Sequence, residues 1–270
     1  RDSSTSRGLG DVYKRQELVL AGMLLASRDI VGGIEWVESQ KENPDVGKQA
    51  EKQKKQFAGC EISGKKLGII GLGAIGQLVA NAATHLGMDV YGYDPYISVD
   101  AAWNLSRSIH HIQSVEDIYR DCDYITIHVP LLESTKKMIN KEAIAMMKDG
   151  VRLINLARGE LINSEAVVKA IADGKVAKYV TDFADDVVLG VDNVIVLPHL
   201  GASTPESEDN CAVMAANELI DYIENGNIKN SVNFPNAIMN AIGTKVCILH
   251  KNVPTIIAQI TSAVGEAGLN

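Results

Sequence analysis

The chain has 270 residues, 46% hydrophobic and 22% charged, with a formal net charge of −8; it can fill one large or two ordinary domains, and its acidity argues against a nucleic acid or a membrane surface as main partner. The longest apolar stretch, LVLAGMLLA at 18–26, is too short to span a bilayer and runs into Arg28 and Asp29. Cys60, Cys122, Cys211 and Cys247 are far apart and form no CxxC pair, which reads as free thiols in a reducing cytoplasm rather than a disulfide frame or a zinc site.

The first sixteen residues, RDSSTSRGLGDVYKRQ, are polar and aperiodic. They lack the apolar region of a signal peptide. They resemble translated sequencing-adapter text and are expected to be a non-native leader. A segment from an incomplete second domain is expected over 17–60. Residues 17–40 read as one long helix, apolar at Leu20, Met23, Leu24, Val31, Ile34 and Val37, with Gly32 and Gly33 weakening its middle. Residues 41–56 are highly charged and read as a solvated connector.

From residue 66 a rhythm begins, and 61–205 is expected to be a dinucleotide-binding domain. KLGIIG is a strand running into a glycine loop, and AIGQLVANAATHLG is a helix. Further strands are read at MDVYGYD, YITIHVP (124–130), VRLINLA (151–157), AKYVTDF (177–183) and NVIVLPH (193–199), with an edge strand near 106–114. Helical patterns separate several of them, including SEAVVKAIADGK with Ser164 as N-cap. Strands alternating with helices predict an α/β fold, a doubly wound parallel sheet of the Rossmann type. A return helix (207–224) and linker are expected within 206–240. Residues 241–270 read as one strand and one helix that lack partners.

Gly71, Gly73 and Gly76 form GxGxxG between a strand and a helix, the context that gives the motif meaning. Gly71 allows the tight turn, Gly73 admits a pyrophosphate to the backbone, and Gly76 lets helix and strand pack closely. Eighteen residues past Gly76, Asp94 ends the second strand and is placed to accept from ribose hydroxyls. Pro95 and Tyr96 follow, with no arginine for a 2′-phosphate, so NAD is expected over NADP.

Ligands of such a sheet bind beyond the C-terminal strand ends. Those ends are Gly71, Asp94, His128 to Pro130, Ala157 to Arg158, Asp182 to Phe183, and Pro198 to His199. Arg158 can hold a carboxylate and His199 can move a hydroxyl proton, which together describe hydride transfer with a hydroxy acid. The plainer alternatives are a surface arginine in a turn and a satisfied core histidine. His128 is expected to bond within the sheet or line the adenine pocket. His110 and His111 are expected at the surface.

GIIGLGAIG, YGYDP, HVPLLESTKKMIN, INLARGELIN, VTDF and LPHLGASTPESEDNCA together resemble the D-isomer-specific 2-hydroxyacid dehydrogenases. Within that family the resemblance is nearest to the branch that oxidises 3-phosphoglycerate in serine biosynthesis. It implies a cofactor domain inserted into a substrate domain, most of which would precede residue 17, a homodimer, and a tail from Thr244 that begins a serine-binding ACT domain. Arg158 would orient the substrate and His199 act as acid/base. Asp94 would bind the adenine ribose, and Ala74 and Ile75 the pyrophosphate. Asp182 would lie near the nicotinamide amide, and Leu156, Ala157 and Gly201 would give backbone contacts; Pro130 is counted with the cofactor contacts. The resemblance leaves open a sister glycerate, lactate or formate dehydrogenase, and a non-catalytic corepressor-like NAD-binding protein. It also implies a glutamate at position 187, five residues after Asp182, to hold the histidine protonated. The chain has Val187 there and Asp186 one place early, so an impaired site is expected.

Overall fold

The computed structural model describes residues 12–201, 203–231, 233–239, 246 and 248–268. The chain divides into two compact units, Ser6–Cys211 and a second that includes Ala212–Asn270. The first holds a seven-stranded sheet of β1 (Lys66–Ile70), β2 (Asp89–Tyr93), β3 (His110–His111), β4 (Tyr124–Ile127), β5 (Val151–Asn155), β6 (Val176–Thr181) and β7 (Val194–Val196). Its order is β3-β2-β1-β4-β5-β6-β7, and every pairing is parallel. This is the doubly wound Rossmann-type order. The strands stop short of the apolar runs that announce them. His128 to Pro130 and Asp182 to Phe183 lie past the ends of β4 and β6. The direction of winding reverses between β1 and β4, which opens a crevice at their C-terminal ends.

Both faces of the sheet are covered. On one, Val19 and Met23 of α1 (Val12–Ser27) and Val79 and Ala83 of α4 (Ala74–His85) meet Leu67, Ile69, Tyr124, Ile154 and Val180. On the other, α6 (Val115–Asp121), α7 (Lys141–Met146) and α8 (Ser164–Ala172) bury Ile118, Ile144 and Val167 with Ile70, Ile125, Ile127 and Leu153. Alternate residues of each strand therefore go to opposite cores, so the inner strands read as continuous apolar runs.

The N-terminal region differs from expectation. The predicted 17–40 helix is two helices, α1 and α2 (Ile30–Ser39), and α1 begins at Val12, inside the stretch read as a leader. The break falls at Arg28–Asp29, not at the glycines. Asp29 is tied to Lys178 of β6 by a 3.0 Å ion pair. Gly32 leaves room for the Asp29 carboxylate, since a Cβ there would come within 2.5 Å of it. The charged connector is helical too, as α3 (Val46–Gln53) and a 3-10 turn at Lys54–Phe57; its polar side chains face water, which is why its periodicity carries no apolar stripe. A further short helix, α5 (Val99–Trp103), follows β2.

One smaller correction concerns a helix cap. The N-cap of α8 is Asn163, whose Oδ1 accepts from the Ala166 amide at 3.2 Å; Ser164 is inside the helix and donates to Asp185. Edge-strand His110 is exposed, as expected, but it meets Asp89 at 2.9 Å and stacks on Tyr91. Cys122 is buried, and burial pushes its thiol up to about 12. Cys60 and Cys211 are half-buried, and Cys247 lies outside the described residues.

The return helix, α9 (Pro205–Asn225), ends before Gly226 at φ +64°, a left-handed C-terminal stop. The last helix is α10 (Ile256–Glu266). The strand expected before it falls partly on residues outside those described, and no strand is described at 246 or 248–253.

Candidate active site

The glycine turn is built as its spacing requires. Gly71 sits at φ +96°, and a Cβ there would come 2.7 Å from the His128 carbonyl. A Cβ on Gly76 would lie 2.0 Å from the Gly71 carbonyl oxygen. Gly73 is different, because a Cβ there would meet nothing within 4 Å. The protein itself does not need a glycine at 73; the open space lies at the N-cap of α4, with Ala74 and Ile75 following as its first residues. That cradle suits a phosphate approaching free helix N–H groups.

Beside it lies a cleft of about 630 Å³ lined by residues including Gly71, Gly73, Asp94, His128, Val129 and Pro130. Asp94 is fixed at its rim. One carboxylate oxygen accepts from the Leu72 amide at 2.8 Å and the other from the Tyr96 amide at 2.9 Å. Each oxygen keeps a lone pair for a ribose hydroxyl. His128 both bonds within the sheet, at 3.0 Å from Thr126 Oγ1, and lines the cleft. Burial pushes its pKa down to about 3, and the nearby Arg15 charge adds to the shift. It is therefore a neutral lining group.

The ends of β5, β6 and β7 bring together Arg158, Asp182 and His199. Asn155 anchors the β5 loop by donating to the Arg158 carbonyl at 2.8 Å, and Arg158 Nη1 bonds the Ala157 carbonyl at 2.6 Å. Leu156 and Ala157 are buried beneath it. Asp182 Oδ2 lies 3.2 Å from His199 Nδ1. The carboxylate is fully buried, whereas the imidazole is 40% exposed and packs edge-on to Phe183 at 5.1 Å. The contact is close but not an aligned hydrogen bond, since neither Asp182 oxygen has a hydrogen-bond partner among the described residues. Burial raises the Asp182 pKa, opposed by the charges of His199, Arg15 and Arg158.

The three carboxylates of DFADDVVLG have separate surroundings. Asp182 faces the histidine. Asp185 organises the turn: its Oδ1 accepts from the amides of Val187 and Val188, and its Oδ2 accepts from Ser164. Asp186 makes no hydrogen bond or ion pair with the described residues. Val187 is 38% exposed. Sequence reasoning had assigned Asp182 to the nicotinamide end and left His199 without a carboxylate; the structure gives it Asp182. Arg15 was missed altogether, because it lies in the segment read as a leader. Its side chain rests on Gly201, where a Cβ would stand 3.0 Å from Arg15 Nε.

The match that decides the family covers residues 20–201, and its description is D-isomer specific 2-hydroxyacid dehydrogenase, NAD binding domain. The chain belongs to the D-isomer-specific 2-hydroxyacid dehydrogenases. The D-3-phosphoglycerate dehydrogenase of Methanocaldococcus jannaschii is 35% identical over 84% of this chain and 42% of its own length. That of Haemophilus influenzae is 36% identical over 78% of this chain and 53% of its own. The chain thus spans about half or less of the length of these relatives. Among solved structures, Rhodotorula graminis D-mandelate dehydrogenase matches with a TM-score of 0.69 at 25% identity, covering 80% of this chain and 64% of that one. The D-lactate dehydrogenase of Aquifex aeolicus, solved with NAD and lactic acid, matches with a TM-score of 0.63 at 27% identity, over 78% and 66%. NAD is therefore the cofactor of this dehydrogenase domain, and the residues present fit it. Gly73 leaves the phosphate cradle open, Asp94 presents oxygens to a ribose, and the Asp182 oxygens, which accept no hydrogen bond from the described residues, suit the N–H of a carboxamide.

One stability consequence follows from Asp182. Its native pKa is raised, so the native state holds this proton more tightly than the unfolded chain does. The resulting stabilisation is present at low pH and is lost as pH rises through the native pKa. Asp182→Asn removes this titration, so the variant's Tm is expected to gain on the parent's as pH rises; thermal unfolding followed by circular dichroism checks it.

Proposed function

We propose that the site oxidises a D-2-hydroxy acid, and that 3-phosphoglycerate is its substrate, giving 3-phosphohydroxypyruvate in serine biosynthesis. The observation that carries the reaction type is the pairing of His199 with a buried carboxylate at the strand ends, with Arg158 near enough to act on the same carboxylate. Arg158 holds the substrate carboxylate in a charge-assisted, bidentate grip. His199 uses Nδ1 toward Asp182, which leaves Nε2 to take the proton of the C2 hydroxyl as its C–H bond breaks. NAD, when bound, accepts the hydride. The choice of 3-phosphoglycerate rests on the two curated relatives above, whose names specify it.

The apolar residues exposed on α2, among them Ile30, Ile34 and Val37, support a homodimer of the whole protein. The serine-binding tail remains an inference from resemblance. A non-catalytic NAD-binding role is the second reading, favoured by Val187 and by Asp186, which has no partner among the described residues. Turnover of 3-phosphoglycerate by the chain completed with the remaining length of a relative separates the two readings.

Cofactor choice is tested on the chain itself. Titration by nucleotide fluorescence is expected to show tighter binding of NADH than of NADPH, because Asp94 with its neighbour Pro95 offers a 2′-phosphate repulsion and no cation. Asp94→Ala is expected to weaken NADH by about 1–3 kcal/mol, the range for losing charge-assisted hydrogen bonds. Equal or tighter NADPH binding would overturn the assignment.

A further inference from the structure

The cleft of about 630 Å³ runs on past the ribose acceptor. Gly73 and Asp94 stand at one end of it, the first suited to a phosphate and the second to a ribose. A base joined to that ribose then lies in what remains of the cleft, between the end of β4 and the helices α6 and α7. Most of the lining there is apolar, with Val115, Tyr119, Val129, Leu132 and Met138 among it. Apolar walls hold a purine without telling one purine from another; the few polar groups must do that.

Several of those polar groups are already committed. The Thr135 hydroxyl donates to the Pro130 carbonyl at 2.7 Å and accepts from the Leu132 amide at 2.8 Å. Asn140 Oδ1 accepts from the Ala143 amide at 2.8 Å as the N-cap of α7. The acidic and basic side chains that line the cleft are all carboxylates: Asp94, Glu116 and Glu142. Asp94 serves the ribose, and Glu142 is exposed on the first turn of α7. Glu116 is half-buried on α6. Its Oε2 accepts from the Ser114 hydroxyl, and its Oε1 accepts no hydrogen bond from another described residue. Ser114 is the N-cap residue of α6, yet its side chain makes no cap bond and holds the carboxylate instead. That bond keeps the Glu116 carboxyl below the ordinary carboxylate value, so it is ionised at neutral pH and can only accept.

We propose that Glu116 is the residue that selects adenine, with Oε1 accepting a hydrogen bond from the 6-amino group of the base. The inference rests on the reading of the cleft as the NAD site. An acceptor-only carboxylate among apolar walls favours a purine that presents an amino group at C6. It opposes a purine with a carbonyl oxygen there, because two acceptors would then face each other with no proton between them. A site built around a donor rejects the analogue that lacks it more strongly than an apolar pocket rejects a change of bulk.

Calorimetric titration of the full chain with NADH and with deamino-NADH tests the proposal. In deamino-NADH the base is hypoxanthine, with a carbonyl oxygen in place of the 6-amino group, and the nicotinamide half is unchanged. The parent is expected to bind NADH at least tenfold more tightly than deamino-NADH. Glu116→Gln, whose amide both donates and accepts, is expected to bring the two affinities within threefold of each other. The readout is a ratio within one protein, so a general loosening of the fold does not imitate it. A parent ratio below tenfold overturns the assignment and leaves the cofactor site standing. A ratio that stays above threefold in Glu116→Gln, or that Glu142→Gln erases in its place, does the same. If Glu116→Gln binds neither dinucleotide, Ser114→Ala carries the test, since it loses no cap bond: a fall in the ratio supports the assignment and an unchanged ratio overturns it. If the parent binds neither, the cofactor reading falls and takes the assignment with it.

Discussion

His199→Gln is expected to lower the rate of hydroxy-acid oxidation by about 10²–10⁴-fold, the contribution of a positioned acid/base group, while NADH affinity stays within about twofold. The assay uses the chain completed with the remaining length of the Methanocaldococcus relative, because the chain spans 42% of that protein. The geometry says why the loss should fall on the chemical step. The imidazole is fixed on two sides, by Asp182 at Nδ1 and by the edge of Phe183. With Nδ1 turned toward a carboxylate, Nε2 is directed away from it, the arrangement needed to accept a hydroxyl proton. Glutamine keeps a polar group of similar reach but cannot take up a proton at this pH. In the proposed reading the adenosine half of the cofactor lies at Gly73 and Asp94, on the other side of the switch point, so its binding should not register the change. A loss of less than threefold, or an equal loss in NADH affinity, would remove His199 from the role.

Most of the sheet was legible because β1, β4, β5, β6 and β7 are largely apolar, β-branched runs bounded by glycine, proline or a helical pattern, and the doubly wound order buries both faces. The site was legible for the same reason, since in a parallel sheet a residue's place at the end of a run is its place in the crevice. Arg158, Asp182 and His199 were found in this way. What the runs could not disclose was pairing between ends. Asp182 and His199 are seventeen positions apart, and only the adjacency of β6 and β7 brings them to 3.2 Å. Asp185 carries a local signal of its own, since an aspartate whose side chain caps the amides two and three residues on is a recognisable turn former. The helix break at Asp29 depends on Lys178, a residue 149 positions away, and no local pattern encodes it. Arg15 was hidden by composition: a polar, aperiodic segment has no apolar stripe to mark where a helix begins, and the residues that seat α1, Val19 and Met23, lie further along.

Val187→Glu is expected to raise kcat for ketoacid reduction about tenfold in the completed protein, with NADH affinity unchanged. The resemblance to the family puts a glutamate at this position, and reduction requires a protonated histidine. The chain already supplies one carboxylate, but Asp182 is a poor counter-charge. Burial raises its own pKa, so the same desolvation that places it beside the imidazole also holds back its ionisation. It also stands where a carboxamide would compete for it. A glutamate on the partly exposed turn at 187 would suffer little desolvation and would be fully ionised at neutral pH. A group that orients and charges an acid/base residue contributes a fraction of that residue's own effect, hence tenfold rather than a thousandfold. The decisive form of the measurement is a double-mutant cycle with Asp182→Asn. If the two carboxylates share the histidine, Asp182→Asn costs more in the Val187 parent than in the glutamate variant. If Asp182 alone suffices, Val187→Glu gives no gain and the two effects add. If instead Asp186→Ala abolishes activity while Val187→Glu is silent, the turn rearranges to bring Asp186 to the histidine, and the assignment of Asp182 as its working partner is wrong.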